Sequence, residues 1–154
     1  MRHCTSHSHM EIHMTKNHYE TEITVKYRET DGLGHVSSPV YYDYLQHAYL
    51  TFMHDLLELP YSEKLPHIMV KTSCEYLKPA QYGDTITVRS SITRFGSKSF
   101  ELEHLMMRDN GAAGDDAIVA RAQSTHVMFD YASNATMPVP EEFKARVLAF
   151  QGAI

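Results

Sequence analysis

Cysteine is scarce in this chain of 154 residues: there are two, Cys4 and Cys74, far apart and in neither a metal-ligand nor a Cys-x-x-Cys spacing. A disulfide framework and a thiolate zinc site are therefore not indicated, and a reducing cytoplasm is the expected setting. Basic charge is short as well, with 14 Lys and Arg against 19 Asp and Glu and a formal net charge of -5. A nucleic-acid surface needs the opposite balance or tightly clustered cations, so small-molecule chemistry is the better expectation. No apolar run approaches the roughly 20 residues that span a bilayer. The stretch from Met1 to Asn17 lacks the apolar middle of a secretory signal. Internal repeats are missing too, and nothing in the composition marks a second domain. A single domain of about 150 residues buries roughly 70% of the surface its unfolded chain exposes, so one core suffices.

The N-terminus does carry His3, His7, His9, His13 and His18, set among Ser, Thr, Met and Lys without a hydrophobic period. Residues 1–20 are expected to form a solvated, poorly ordered tail, since they cannot bury enough apolar surface to order themselves. Adventitious metal binding by the imidazoles is the sharper alternative. Residues 21–154 are expected to form the single domain, with no dedicated metal or cofactor.

From Thr21 to Arg28, Ile23, Val25 and Tyr27 alternate with polar neighbours, the period of a half-buried strand. The strand ends at Thr30-Asp31-Gly32-Leu33-Gly34, where glycine permits a bend. Ser38 before Pro39 predicts a helix with Ser38 as N-cap and proline at the first helical position. Tyr41, Tyr44, Leu45, Ala48, Phe52 and Leu56 then follow a helical stripe, with Asp43, Gln46, His47 and His54 mainly on the other face, to about Leu57. Three strand-like stretches follow, His67–Leu77, Asp84–Phe95 and Ser97–Met107, and after an Asn110-Gly111 hairpin signal a fourth, Ala117–Phe129. A short helix from Pro140 to about Phe150 closes the chain. Short links favour antiparallel neighbours, so the expected fold is α+β: a curved antiparallel sheet wrapped on one long central helix.

Tyr27-Arg28-Glu29-Thr30-Asp31-Gly32-Leu33-Gly34-His35-Val36, then Pro39-Val40-Tyr41 and the helix, resembles the signature of the 4-hydroxybenzoyl-CoA thioesterase group of hotdog proteins. Glu75-Tyr76-Leu77-Lys78-Pro79-Ala80, Gly83-Asp84, Gly96-Ser97-Lys98-Ser99-Phe100, Val127-Met128-Phe129-Asp130 and Pro138-Val139-Pro140 match the family's stretches in order and spacing, covering about Thr21 to Phe150. Each piece alone is weak, and the ordered set is strong. The resemblance implies a hotdog homodimer, often paired into a homotetramer, with active sites at the protomer interface. It also implies acyl-CoA or acyl-carrier-protein thioesters as substrates.

Residue by residue, the resemblance places the catalytic carboxylate at Asp31 and an oxyanion-binding backbone N–H at Ser38. Helix-opening amides and the positive helix end suit the charge that develops on a thioester oxygen, and losing one such donor typically costs about 3 to 4 kcal/mol of barrier. Because the donor is backbone, Ser38→Ala should change little. The same positive end favours a charged carboxylate, which suits direct attack and an acyl-aspartyl anhydride over base-activated water. Asp31 has a plainer reading, in which Asp-Gly makes a turn through side-chain to backbone hydrogen bonds. His35 is either a general base or a packing residue. Tyr41 belongs to the helix stripe, and the Ser37 and Ser38 hydroxyls are expected to act as caps. Lys98 matches a position that binds the CoA phosphates in the family, with Arg94 and Ser99 as companions. Gly96 and Ser97 stand where some relatives carry arginines, which makes a carrier-protein substrate more plausible. Tyr42, Tyr49, Phe52 and Met53 either line the acyl pocket or belong to the core.

Two other classes compete. A hotdog hydratase or dehydratase usually places Asn and Pro between a more widely spaced Asp and His, which Asp31-Gly32-Leu33-Gly34-His35 does not match. A non-catalytic acyl-thioester binding protein keeps the fold and pocket without turnover.

Overall fold

The structure is a computed structural model that describes residues 17–109, 111 and 114–154. Most of the His-rich tail, with Cys4, and Asn110 of the expected hairpin turn lie outside the described residues.

Six strands form one antiparallel sheet. β1 (Tyr19–Thr24), β3 (Thr85–Phe95), β4 (Ser99–Arg108), β5 (Ile118–Asp130) and β2 (His67–Tyr76) lie side by side in that order. The two-residue β6 (Ala135–Thr136) pairs with the end of β5. The long helix α1 (Ser38–Leu57) packs against the sheet, and α2 (Glu141–Gln151) closes the chain. This is the curved sheet on one central helix expected of a hotdog domain. With 20 residues, α1 is about 30 Å long at 1.5 Å per residue.

The helix stripe explains the packing. Tyr41, Tyr44, Leu45 and Ala48 are buried against Ile86, Val88 and Met106, and Tyr49, Phe52 and Met53 against Ile92, Phe100 and Leu102. Between these two apolar patches the inner face turns polar: Ser90 sits between Val88 and Ile92 on β3, and its cross-strand partner His104 sits between Leu102 and Met106 on β4. The buried Gln151 fastens the end of α2 to β3, with its amide oxygen accepting from Ile92 N–H at 2.6 Å and its amide nitrogen donating to Ile92 O at 2.9 Å. β2 ends the strand order and pairs on one side only, with β5, leaving its other edge open among the described residues.

Several expectations need correction. The first strand stops at Thr24 instead of continuing to Arg28, because Val25 N–H turns to Asp84 O (3.0 Å) and Tyr27–Glu29 forms a 3₁₀ turn. Tyr27 is consequently exposed and packs edge-on against Tyr82. The helix N-cap is Ser37, whose backbone is extended, so Ser38 is already the first helical residue; neither hydroxyl makes a capping bond. His54 is buried, with Nδ1 3.1 Å from Leu59 O, because the αL residue Glu58 turns the chain back over it. Tyr49, Phe52 and Met53 are core residues. β6 carries no sequence signal of its own, since two residues are too few for a period.

Candidate active site

Asp31 tops a short hairpin. Thr30 bridges Val36, Ser37 N–H donates to Glu29 O at 2.9 Å, and Asp31 N–H donates to His35 O at 2.7 Å. Gly34 closes the turn at φ 80°, a left-handed conformation that favours glycine, with its N–H on Asp31 O at 3.1 Å. The Asp31 side chain holds this turn as well: Oδ1 accepts from Leu33 N–H at 2.8 Å and from His35 N–H at 3.2 Å. The plain turn-forming reading of Asp31 thus describes one oxygen. Oδ2 takes no hydrogen bond from the described residues, and the residue is exposed.

The hairpin leads straight into α1, and its far arm is pinned by Val36 N–H on Ala80 O at 2.8 Å and by a His35–Gln81 bridge. At the helix opening Pro39 has no N–H, and Val40 N–H donates to Ser37 O at 2.9 Å. The Ser38 N–H is thereby left without a partner among the described residues. Asp31, His35 and Ser38 line one open cleft of about 280 Å³, with Tyr41, Tyr76 and Lys78 among its walls. Tyr76 donates to Ser38 O at 3.1 Å, and Tyr42 lies beside its phenol. The Tyr41 phenol, held protonated by burial, accepts from Ala80 N–H at 3.2 Å. Lys78 pairs with Asp116 at 2.8 Å in an exposed ion pair. The cleft is therefore lined by a residue with an unbonded carboxylate oxygen and by the first residue of a helix, whose N–H has no partner among the described residues and lies at the positive helix end.

Of the residues singled out from the sequence, Asp31, His35 and Ser38 come together in this cleft, with Tyr42 one phenol away. Lys98, Ser99 and Arg94 do not. Tyr76 faces Ala120 on β5 whereas Ser99 faces Val127. Seven residues of strand place these groups about 23 Å apart at ~3.3 Å per residue. Lys98 Nζ instead reaches Thr136 Oγ1 at 3.4 Å, and Arg94 pairs with Glu101 at 3.2 Å. The β3–β4 turn is tight: a Cβ on Gly96 would come within 2.6 Å of Ser99 Oγ. Tyr76 went unnoticed as a cleft residue, because β-strand alternation marks it only as one more surface position.

Three buried imidazoles also escaped the sequence reading. His104 Nδ1 lies 2.8 Å from Ser90 Oγ and its Nε2 3.1 Å from Ser124 Oγ, which in turn lies 2.8 Å from His126 Nε2. His126 is stacked between Tyr49 and Phe100, and the Tyr49 phenol hydrogen-bonds His67 Nδ1. His67 Nε2 and His126 Nδ1 are enclosed without partners among the described residues. Burial pushes His67 and His126 down to about 3 and His104 to about 4, so all three are neutral near pH 7. Tyr49, His54, Tyr61 and His67 line a second pocket of about 540 Å³ toward the other end of α1. Cys74 is half-buried, and burial raises its thiol to about 11, which makes it a poor nucleophile. Among the described residues no group of His, Cys, Asp and Glu is arranged to hold a metal ion.

A curved antiparallel sheet wrapped on one long helix is the architecture of the hotdog thioesterases. The chain belongs to the thioesterase-like superfamily, which it matches over residues 25–147. A putative esterase of Aquifex aeolicus is 25% identical over 118 residues, covering 74% of this chain and 87% of that protein. A thioesterase from Thermus thermophilus, solved with coenzyme A and Zn, superposes with a TM-score of 0.76 at 23% identity, covering 91% of this chain and 98% of that one. A gentisyl-coenzyme A thioesterase gives 0.69 at 26% identity, covering 84% and 99%. No helix among the described residues is long and apolar enough to cross a membrane.

Proposed function

We propose that the chain hydrolyses an acyl-CoA or acyl-carrier-protein thioester to a free acid and a thiol, in the manner of the 4-hydroxybenzoyl-CoA thioesterase group. The observation that carries this reading is the shared cleft of Asp31 and Ser38. Asp31 Oδ2 attacks the thioester carbon while the carbonyl oxygen, becoming an oxyanion, takes the Ser38 N–H. The C–S bond breaks, the thiolate leaves and is protonated from water, and a mixed anhydride remains on Asp31. Water then hydrolyses the anhydride and restores the carboxylate. The alternative, in which Asp31 deprotonates the attacking water, uses the same two groups. His35, on the cleft wall, is the candidate to carry protons to or from the leaving thiol.

The open edge of β2 supports a homodimer. The ten-residue strand β2 has one edge unpaired among the described residues and, with Ile68, Val70 and Tyr76 exposed, forms a template for a second copy. Antiparallel pairing of β2 with itself sets the His67 end of one protomer against the Tyr76 end of its partner, and so beside the partner's Asp31 cleft. This brings Lys98, Ser99 and Arg94 of one chain toward the catalytic turn of the other, where they serve the CoA phosphates. It also accounts for their separation from Asp31 within one chain. Tyr42, beside Tyr76, then lies along the acyl path.

Free-thiol release across benzoyl, phenylacetyl, short-chain and long-chain CoA thioesters tests the reading. Thiol release supports hydrolysis. Hydration of an enoyl thioester without thiol release assigns the chain to the hydratases instead, and binding without any turnover makes it an acyl-thioester binding protein.

A further inference from the structure

The Asp31 hairpin does not rest on its own backbone bonds alone. Glu29, two residues before Asp31, is held three ways. Its carbonyl accepts Ser37 N–H at 2.9 Å, and its carboxylate oxygen Oε1 accepts both Lys26 N–H at 2.8 Å and the Tyr44 O–H at 3.1 Å. Tyr44 is on the inner stripe of α1, buried in the core with Tyr41, Leu45 and Ala48. Burial, and then the Glu29 charge, push its phenol well above its ordinary value, so it remains a hydrogen-bond donor throughout the neutral range. The bond therefore runs from the rigid body of the helix to the root of a surface hairpin.

Both groups of the cleft hang on this root. Asp31 sits two residues beyond Glu29 on one arm. The Ser38 N–H belongs to the peptide that joins it to Ser37, whose own N–H is on the Glu29 carbonyl. We propose that Glu29 and Tyr44 are positioning residues, which set the separation and angle between the Asp31 carboxylate and the Ser38 amide without touching substrate. The inference rests on the hydrolase reading for its kinetic consequence only. A carboxylate displaced by about 1 Å from its line of attack typically costs ~10²-fold in rate, while ground-state binding changes little.

The structure contains its own control. At the far end of α1, Tyr19 donates to Asp55, a second phenol–carboxylate bond away from the cleft. Tyr19→Phe and Tyr44→Phe each delete one hydroxyl. The expected result is a similar small fall in melting temperature for both, with kcat reduced ten- to hundredfold and KM within twofold for Tyr44→Phe alone. Glu29→Gln, whose amide oxygen still accepts from Lys26 and Tyr44, should keep kcat within threefold of the unaltered enzyme, whereas Glu29→Ala should fall with Tyr44→Phe. Equal kcat in the two phenylalanine variants, a loss confined to KM, or a Glu29→Gln enzyme as slow as Glu29→Ala would each overturn the inference. Hydrogen exchange at the Asp31 and Ser37 amides reads the hairpin without substrate, and Tyr44→Phe should speed it at least tenfold. Unchanged exchange overturns the inference even in an active enzyme. Faster exchange in a protein that releases no thiol upholds the positioning and overturns the hydrolase reading alone.

Discussion

His104 Nε2 and Ser124 Oγ lie 3.1 Å apart on the inner face of the sheet, where Ser124 also meets His126 and the far nitrogen of His104 meets Ser90. The row spans three neighbouring strands and is sealed from water. Its members fold as neutral rings, so the fold has a built-in sensitivity to acid.

The sign follows from the depressed values. His67, His104 and His126 titrate in the fold at about 3, 4 and 3, against roughly 6.5 in the unfolded chain. Their contribution is fully present above the unfolded value and is lost as pH falls from about 6.5 toward 4. Each ring costs about 1.4 kcal/mol per pH unit well inside that window. Asp116 and Asp130, lowered mainly by hydrogen bonds from Lys78 and Ser133, lose their share only below about pH 4. Urea midpoints between pH 7 and 4.5 should therefore fall steeply, and His104→Gln should flatten the slope by about a third. An unchanged slope in that variant would assign the acid sensitivity elsewhere.

Phe52 joins the helix to the strand that opens the domain: it is fully buried and stacked on Tyr19 with ring centroids 4.9 Å apart. Phe52→Ala should lower unfolding stability by about 3–5 kcal/mol. Chemical denaturation checks this, and a loss under 1 kcal/mol would mean that the site collapses to fill the void.

Lys98 lies far from Asp31 in its own chain, so its predicted role is in binding. Lys98→Ala should raise KM three- to tenfold for an acyl-CoA. It should leave KM unchanged for the matching N-acetylcysteamine thioester, which has no phosphates. Equal effects on the two substrates would remove Lys98 from the nucleotide site.

Val70 projects at the irregular point of the open β2 edge. Val70→Asp should place two like charges across a two-fold seam, giving monomers by sedimentation and losing at least tenfold in kcat/KM for an acyl-CoA. A variant that remains a dimer with normal turnover would show that the protomers join elsewhere.

The helix, the strands themselves and the Asp31 turn were legible because each carries a local signal: a helical stripe from Tyr41 to Leu56, alternation along the strands, and an Asp-x-x-Gly bend. The sheet order was not, since the short Lys78-Pro79-Ala80 link suggests β2 beside β3 whereas β2 pairs with β5 at the edge of the sheet. Tyr27 misled because alternation ran on past the true end of β1, where the Asp84 carbonyl captured Val25. The expected N-cap, Ser38, fell one residue too late because Ser37 before it has the same side chain and the same cap preference. The roles of Tyr76, Tyr44 and the three buried histidines depend on partners many residues away, and no period in the sequence marks such a pairing. Lys98 shows the remaining limit: its proposed role at the nucleotide rests on a second chain supplying the Asp31 cleft, and no local pattern in the sequence marks such a pairing.

The most direct test of the account is Asp31→Asn. The amide oxygen can accept the same Leu33 and His35 N–H groups, so the hairpin and melting temperature should be preserved. Thiol release from the best acyl-CoA should fall about 10³-fold or more. A folded Asp31→Asn protein that releases thiol within tenfold of the unaltered rate would contradict the assignment of catalysis to this carboxylate.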